Sequence, residues 1–341
     1  MSFLKNIWYM AGWADEVADS APLARRIAGV DLVFFRDAEG DLHCLADMCP
    51  HRFAPLSMGR VEQGRLICAY HGLGFGGGGR CLINPHGPIT DHLKATSYQA
   101  VERHACLWVW LGAPELADIA KIPPMDFIAA TSPEARVTGY LLSKAHYMLM
   151  VDNIMDLSHA DYLHAGSLGG GINSKTKGMV SQEADGAIAI RWHVDNEELP
   201  PLMAQSLPEG ITRGDFRNEV YWYAPGAMKQ SVLFGPHGQL ANQGRQSWGL
   251  HNMTPADETS THYFFCHTSA DISRNPAMVP HVRAVLMQAF AGEDCPVLEA
   301  QQRRIDGRDF WSLHPALLPT DAGAVRVRRR IDEMLRQEAA A

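Results

Sequence analysis

The sequence predicts an α+β protein in which a small antiparallel β domain precedes a larger domain whose antiparallel sheet is covered by helices. Three observations carry this expectation. The 341 residues correspond to about two domains at roughly 150 residues each. Residues 26–110 are written in short β-rich runs, such as 32–35 and 107–110, punctuated by Gly and Asp turns. Leu111-Gly112-Ala113-Pro114 and Ile122-Pro123-Pro124 then interrupt any helix or ladder, which places the boundary within 112–124 and assigns 1–116 and 117–341 to the two domains.

In the second domain the patterning changes. Strands are expected near 140–147, 187–194, 219–224, 228–234, 246–253 and 260–268. Apolar residues at helical spacing predict one helix over 147–165 and two more over 280–290 and 296–308, with a glycine-rich loop at 166–178. Hydrophobic residues make up 46% and charged residues 20%, and no run approaches the roughly 20 apolar residues of a spanning helix, so neither disorder nor a membrane helix is expected. The opening Met1-Ser2-Phe3-Leu4-Lys5-Asn6 has no apolar export segment, and a cytoplasmic location follows as an expectation. A net charge of -8 excludes a nucleic-acid footprint, and the basic run 326–330, followed by Asp332 and Glu333, reads as the solvated face of a terminal helix. Sixteen His beside seven Cys, an odd thiol count, point to metal chemistry rather than to a disulfide framework.

The first candidate site is Cys49-Pro50-His51 with Cys68-Ala69-Tyr70-His71. Each half offers one thiolate and one imidazole. Structural zinc sites usually pair two Cys in one half and two His in the other, whereas a Rieske [2Fe-2S] centre places two Cys on one iron and two His on the second. Two loop tips that each give one Cys and one His clamp both irons at once, and zinc is the alternative. Pro50 and Pro55 stiffen the first loop, and Gly72 permits a close backbone passage after the second.

The second is Asn153-Ile154-Met155-Asp156-Leu157-Ser158-His159-Ala160-Asp161-Tyr162-Leu163-His164. Asn153, Asp156 and His159 share one side of a helix, but His159 and His164 lie about 140° apart around it, so both meet one ion only where the helix distorts or ends. Two His and one carboxylate leave positions on Fe(II) for O2 and substrate. The carboxylate must come from elsewhere. Asn153 is a neighbour of the iron or a surface amide.

These two blocks resemble the Rieske non-haem iron oxygenases. Cys49 to Ser57 and Leu66 to Gly72 are similar to their Rieske domain, residues 153–164 to their D-x-x-H-x-x-x-x-H element, and Asn6-Ile7-Trp8-Tyr9 and Asn84-Pro85-His86-Gly87 to the vanillate and dicamba O-demethylase branch. The resemblance implies a third ligand late in the chain, where Glu293-Asp294-Cys295-Pro296 fits: Asp294 is the implied ligand, with Glu293 and Glu299 as alternatives. It implies that Asp156 links His159 to His71 of a neighbouring subunit, hence a homotrimer. His251, in Gly249-Leu250-His251-Asn252-Met253-Thr254-Pro255, is implied to contact the substrate carboxylate, a structural strand histidine being the alternative. Gln230, a second implied substrate-binding residue, stands where those relatives carry Asn, and Val285 where the dicamba-type relatives carry Trp.

The expected function is the terminal oxygenase component of a monooxygenase that O-demethylates a small methoxylated aromatic acid with O2 and releases formaldehyde. Electrons come from NAD(P)H through a separate ferredoxin or flavin reductase, because Gly76-Gly77-Gly78-Gly79 lacks the strand-to-helix context of a dinucleotide fingerprint. Hydroxylation of another aromatic acid by the same centres is the alternative within the enzyme class. A Rieske electron carrier is the alternative outside it, and it would have no use for the 153–164 cluster.

Overall fold

The computed structural model describes residues 3–18, 20–165, 169 and 171–340. Residues 166–168 and 170 of the expected glycine-rich loop, and Met1 and Ser2 of the opening, lie outside the described residues. The chain divides into two compact units, 1–124 with 254–257, and 125–253 with 258–341. The proline-rich stretch that marks the boundary in the sequence thus belongs to the first unit.

The first unit holds ten strands: β1 (Trp8–Trp13), β2 (Leu23–Ile27), β3 (Val30–Arg36), β4 (Leu42–Ala46), β5 (Arg60–Glu62), β6 (Arg65–Ile67), β7 (Gly74–Phe75), β8 (Cys81–Ile83), β9 (Ser97–Arg103) and β10 (Cys106–Trp110). They form an antiparallel six-stranded sheet ordered β1-β10-β9-β4-β3-β2 and a four-stranded sheet ordered β5-β6-β7-β8. One core cluster (Val33, Phe35, Leu45, Leu56, Leu66, Leu73, Phe75) also contains Cys49 and Cys68, so the two candidate thiolates sit at the edge of an apolar core. The 76–79 glycines turn the chain from strand to strand, between β7 and β8. Gly79 has φ +79°, and a Cβ there would stand 2.0 Å from the Ala95 carbonyl oxygen, so this turn admits glycine alone.

The second unit holds β11 (Val137–Ser143), β12 (Met179–Gln182), β13 (Ile188–Glu198), β14 (Arg213–Tyr223), β15 (Ala227–Pro236), β16 (Arg245–Pro255) and β17 (Thr261–Ser269), in the order β11-β17-β16-β15-β14-β13-β12. Alternation sets one face inward: Ile188, Ile190, Trp192, Phe216, Val220, Trp222, Met228 and Phe265 are buried there. Among these apolar residues the same face carries Asn218, Gln230, His251 and Tyr263, which hydrogen-bond to one another.

The helix expected over 147–165 is not continuous. It runs Tyr147–Met155, breaks at Asp156 (φ −134°, ψ 93°), and resumes as a 3-10 turn, Leu157–His159, and a short helix, Ala160–Leu163. Seven of its first nine residues are buried; the other two are Asp152 and Asn153. Met148, Met150 and Met155 are ordinary core. The helix at 280–290 is Val279–Met287, extended by a π-helix, Gln288–Asp294, that runs directly into Cys295–Ile305. The terminal helix is Ala322–Ala340, and its basic run is not wholly solvated: Arg328 turns inward, pairs with Asp152 through Nε (2.8 Å) and Nη2 (2.5 Å), and lies 3.8 Å from the Phe310 ring centroid. Helical phase explains this, since Arg328 lies four residues after the buried Ala324 and three before the buried Ile331, on the side of the helix that packs against Tyr147–Met155. Among the described residues no helix is long and apolar enough to cross a membrane.

Candidate metal centres and the polar cluster beside them

The two loops of the first site are built alike. In one, the Cys49 N–H donates to the Ala54 carbonyl (2.9 Å) and the Phe53 N–H to the Cys49 carbonyl (2.9 Å). In the other, the Cys68 N–H donates to Leu73 (2.8 Å) and the Gly72 N–H to Cys68 (3.0 Å). The residue four after each cysteine has a left-handed backbone, Phe53 at φ +60° and Gly72 at φ +71°. A phenylalanine held there is strained, as expected where a functional loop is over-determined by its surroundings. Cys49 and Cys68 are buried, whereas the His51 and His71 rings stand outward with centroids 4.5 Å apart. Two buried thiols beneath two adjacent imidazoles on paired loops fit a [2Fe-2S] centre with one all-Cys and one all-His iron. None of the seven cysteines is disulfide-bonded, and all are buried.

In the second unit, the ligand atoms of His159, His164 and Asp294 lie within 4.8 Å of one another. His159 Nε2 is 3.5 Å from Asp294 Oδ1, and His164 Nε2 is 3.2 Å from Asp294 Oδ2. Metal–ligand bonds of about 2.1 Å at right angles put neighbouring donor atoms roughly 3 Å apart, so this set could hold one ion facially and leave its opposite face open.

The backbone devices that bring the three together are local. The break at Asp156 frees its carbonyl oxygen to accept from His159 Nδ1–H (2.6 Å), leaving Nε2 to face Asp294. The Asp156 carboxylate instead caps the new turn, Oδ1 accepting from the Ser158 N–H at 3.0 Å, so the partner of His159 is the main chain of Asp156 and not its side chain. No described residue bonds the second carboxylate oxygen. On the facing side, the π-helix inserts one extra residue per turn and thereby aims two consecutive carboxylates at one imidazole: Glu293 Oε2 accepts from His164 Nδ1–H at 2.6 Å while Asp294 faces Nε2. Of the alternatives to Asp294, Glu293 thus lies behind His164, and Glu299 accepts the Lys144 N–H (2.8 Å) away from the imidazoles. Asn153 donates from Nδ2 to Asp294 Oδ1 (3.0 Å), so it faces the site and not solvent.

His251 and Gln230 are brought together. Tyr263 Oη lies 2.6 Å from His251 Nδ1, His251 Nε2 3.0 Å from Gln230 Oε1, and Gln230 Nε2 donates to Asn218 Oδ1 (2.9 Å). Phe290, on the π-helix that carries Asp294, packs edge-on against His251 at 5.5 Å. Burial pushes the His251 imidazole down to about 4, so it is neutral at pH 7. Asn218, Tyr263 and Phe290 escape the sequence reading. A polar residue in phase with Phe216, Val220 and Trp222 of the same strand was the available signal for Asn218. His71 and Asp156 belong to different units, and the geometry within either unit does not address the link between them.

Two outcomes follow. Glu293→Ala removes the acceptor behind His164 and is expected to weaken Fe(II) retention by roughly 10–100-fold in chelator dialysis, with the Rieske EPR signal unchanged. For His251, both folded and unfolded states are neutral above about pH 6.5, so its contribution there is flat. Between about 6.5 and 4 the unfolded chain takes up a proton that the folded chain refuses, so stability falls by about 1.4 kcal/mol per pH unit from this group. Urea midpoints measured over that range should show a limb shallower by this slope in His251→Asn.

Comparison with known proteins agrees with this architecture. The Rieske [2Fe-2S] domain model matches residues 7–94 and the vanillate O-demethylase oxygenase C-terminal domain matches residues 143–337. The chain is 38% identical over its full length, and that of its relative, to the oxygenase component of dicamba O-demethylase from Stenotrophomonas maltophilia. It is similar to the crystal structure of dicamba monooxygenase bound to 3,6-dichlorosalicylic acid (TM-score 0.92, 36% identity, all of both chains) and to that enzyme with non-haem iron and dicamba (TM-score 0.85, 36% identity, 100% and 99% of the chains). The chain therefore belongs to the Rieske non-haem iron oxygenases, as an oxygenase component that joins a Rieske [2Fe-2S] domain to a catalytic domain of the vanillate O-demethylase type.

Proposed function

We propose that this oxygenase component, working in the cytoplasm as a homotrimer, O-demethylates a small methoxylated aromatic acid with electrons passed from NAD(P)H by a separate reductase. The observation that carries the reading is the pairing of an open two-His, one-carboxylate set with a hydrogen-bonded cluster of neutral polar side chains, Asn218, Gln230, His251 and Tyr263, set among apolar residues of the sheet. The relatives named above act on or bind methoxylated or chlorinated aromatic acids, which supports the same substrate class here.

Cys49, His51, Cys68 and His71 would hold the cluster and His159, His164 and Asp294 the mononuclear iron. When bound, these groups supply electron transfer and O2 activation. The balance is one O2, two electrons and two protons per methoxy group: one oxygen enters the methyl C–H bond, the other leaves as water, and the hemiacetal splits into a phenol and formaldehyde.

The chain supplies the rest. Glu293 holds the Nδ1 proton of His164, and the Asp156 carbonyl holds that of His159, so both imidazoles keep Nε2 for the iron. The Asn153 amide fixes the Asp294 carboxylate. The aromatic ring of the substrate meets apolar side chains that exclude water, while the linked His251, Gln230 and Asn218 receive its polar substituent through the amide N–H groups that His251 holds in place. Asp156 provides the route to His71 of a neighbouring copy, a role supported by its second carboxylate oxygen, which no described residue bonds.

Methoxybenzoates such as vanillate, syringate, anisates and veratrate, assayed with a surrogate reductase, should include one that releases formaldehyde in proportion to O2 consumed. His159→Ala should abolish this and keep the Rieske EPR signal; product formation without formaldehyde would point to ring or methyl hydroxylation instead. Asp156→Asn should retain both metal centres yet leave the reduced cluster unoxidised when substrate and O2 are added. Full coupled turnover in that variant would overturn the bridging role.

A further inference from the structure

Asn84-Pro85-His86-Gly87-Pro88 supplies none of the candidate ligands, yet it lies against the outward imidazole of the second cluster loop. His86 Nε2–H donates to the main-chain carbonyl of His71 at 2.9 Å, and the two rings meet edge-on, 6.0 Å apart at 83°. The loop that presents His86 is shaped by its own first residue. Asn84 Oδ1 accepts the His86 N–H (3.0 Å), and Asn84 Nδ2 donates to the Pro88 carbonyl (2.8 Å), while Pro85 and Pro88 restrict the backbone around them. A second contact falls on the next residue along: a Cβ at Gly72 would stand 3.3 Å from Pro85 Cγ. The 84–88 loop therefore grips two consecutive residues of the second cluster loop, the His71 carbonyl and the Gly72 backbone. The His71 ring is flanked besides by Tyr70 at 3.9 Å and His51 at 4.5 Å.

We propose that His86 is a positioning residue for the Rieske centre: it holds the backbone of His71, and so fixes the orientation of that ligand and tunes the potential of the cluster. The proposal rests on the reading of His71 as a cluster ligand. Rieske potentials respond to hydrogen bonds around the ligands and to solvent exposure, and outer partners of ligating histidines set ring orientation. A donor on the His71 carbonyl draws electron density from the ligand and favours the reduced cluster. Its loss therefore lowers the potential. An amide can replace an imidazole N–H in this role, whereas a methyl group cannot.

The test uses the purified holoenzyme. Midpoint potential by spectroelectrochemistry and the EPR line shape of the reduced cluster are measured for wild type, His86→Ala, His86→Gln and Asn84→Ala, each with its cluster iron and sulfide quantified. The expected result is a lower potential and broadened EPR features in His86→Ala and Asn84→Ala, with His86→Gln returning toward wild type. Loss of the cluster from His86→Ala alone, with His86→Gln intact, supports the same role. Unchanged potential and line shape in a fully loaded His86→Ala overturns it, as does a His86→Gln variant no better than alanine. A wild-type protein without a Rieske signal would overturn the cluster reading itself, a result distinct from either.

Discussion

Two imidazoles five residues apart must face one carboxylate, and the structure around the mononuclear site follows from that constraint. A regular helix would separate His159 and His164 by about 140°. The chain meets the demand by ending one helix at Asp156 and starting another, and the same break supplies the carbonyl that fixes the tautomer of His159. The facing segment departs from α geometry in the opposite sense. There a π-helix widens the turn so that Glu293 and Asp294 reach the two nitrogens of one ring. Each irregularity gives up helical hydrogen bonds, and each is placed where it orients a donor atom.

Such a site gathers many carboxylates, and repulsion among them has to be offset. Each one has its own donor. Asp161 accepts the Ser174 N–H (2.6 Å), Asp156 caps Ser158, Glu293 takes His164, and Asp152 takes Arg328. Asp294 alone is left to the two Nε2 atoms and Asn153. Arg328 brings the terminal helix into this arrangement. Gly323 on the same helix allows close approach, since a Cβ there would stand 2.9 Å from the Met155 carbonyl. The terminal helix thus braces the end of the helix that carries Asn153, just before the break.

The paired loops that bring Cys49, His51, Cys68 and His71 together were legible because C-x-H and C-x-x-H spacing is dictated by loop chemistry that the sequence states directly. Strand positions were legible for the same reason, since inward and outward residues alternate. The exact carboxylate was not: Glu293 and Asp294 are adjacent, and only the π-turn decides which of them faces Nε2. A helix over 147–165 was a fair expectation from periodicity, but periodicity does not register a single residue such as Asp156 that leaves the helical region and caps the next turn. Arg328 was hidden within a basic run, where one inward-turned arginine has the same composition as its solvated neighbours. Phe53 was unreadable as a left-handed residue because glycine is the usual marker of that conformation, and the matching position of the second loop does carry it, as Gly72.

The polar cluster on the sheet shows why residue 230 matters. Gln230 lies on β15, opposite Gly249 of β16 and Val220 of β14. Its two hydrogen-bond partners are diagonal neighbours on opposite sides, His251 paired with Met228 and Asn218 paired with Val232. Diagonal neighbours stand roughly 7–8 Å apart, a span that favours a long side chain, and Gly249 leaves the space beside Gln230 Oε1 open. The chain of bonds then has one consistent direction. With Tyr263 O–H donating to Nδ1, His251 donates from Nε2 to Gln230 Oε1, and Gln230 donates to Asn218, which leaves the Asn218 amide N–H pair at the free end. An asparagine at 230 is one methylene shorter and would not span both neighbours at this register, so glutamine here joins His251 to Asn218 and extends hydrogen-bond donation across three strands of the sheet face.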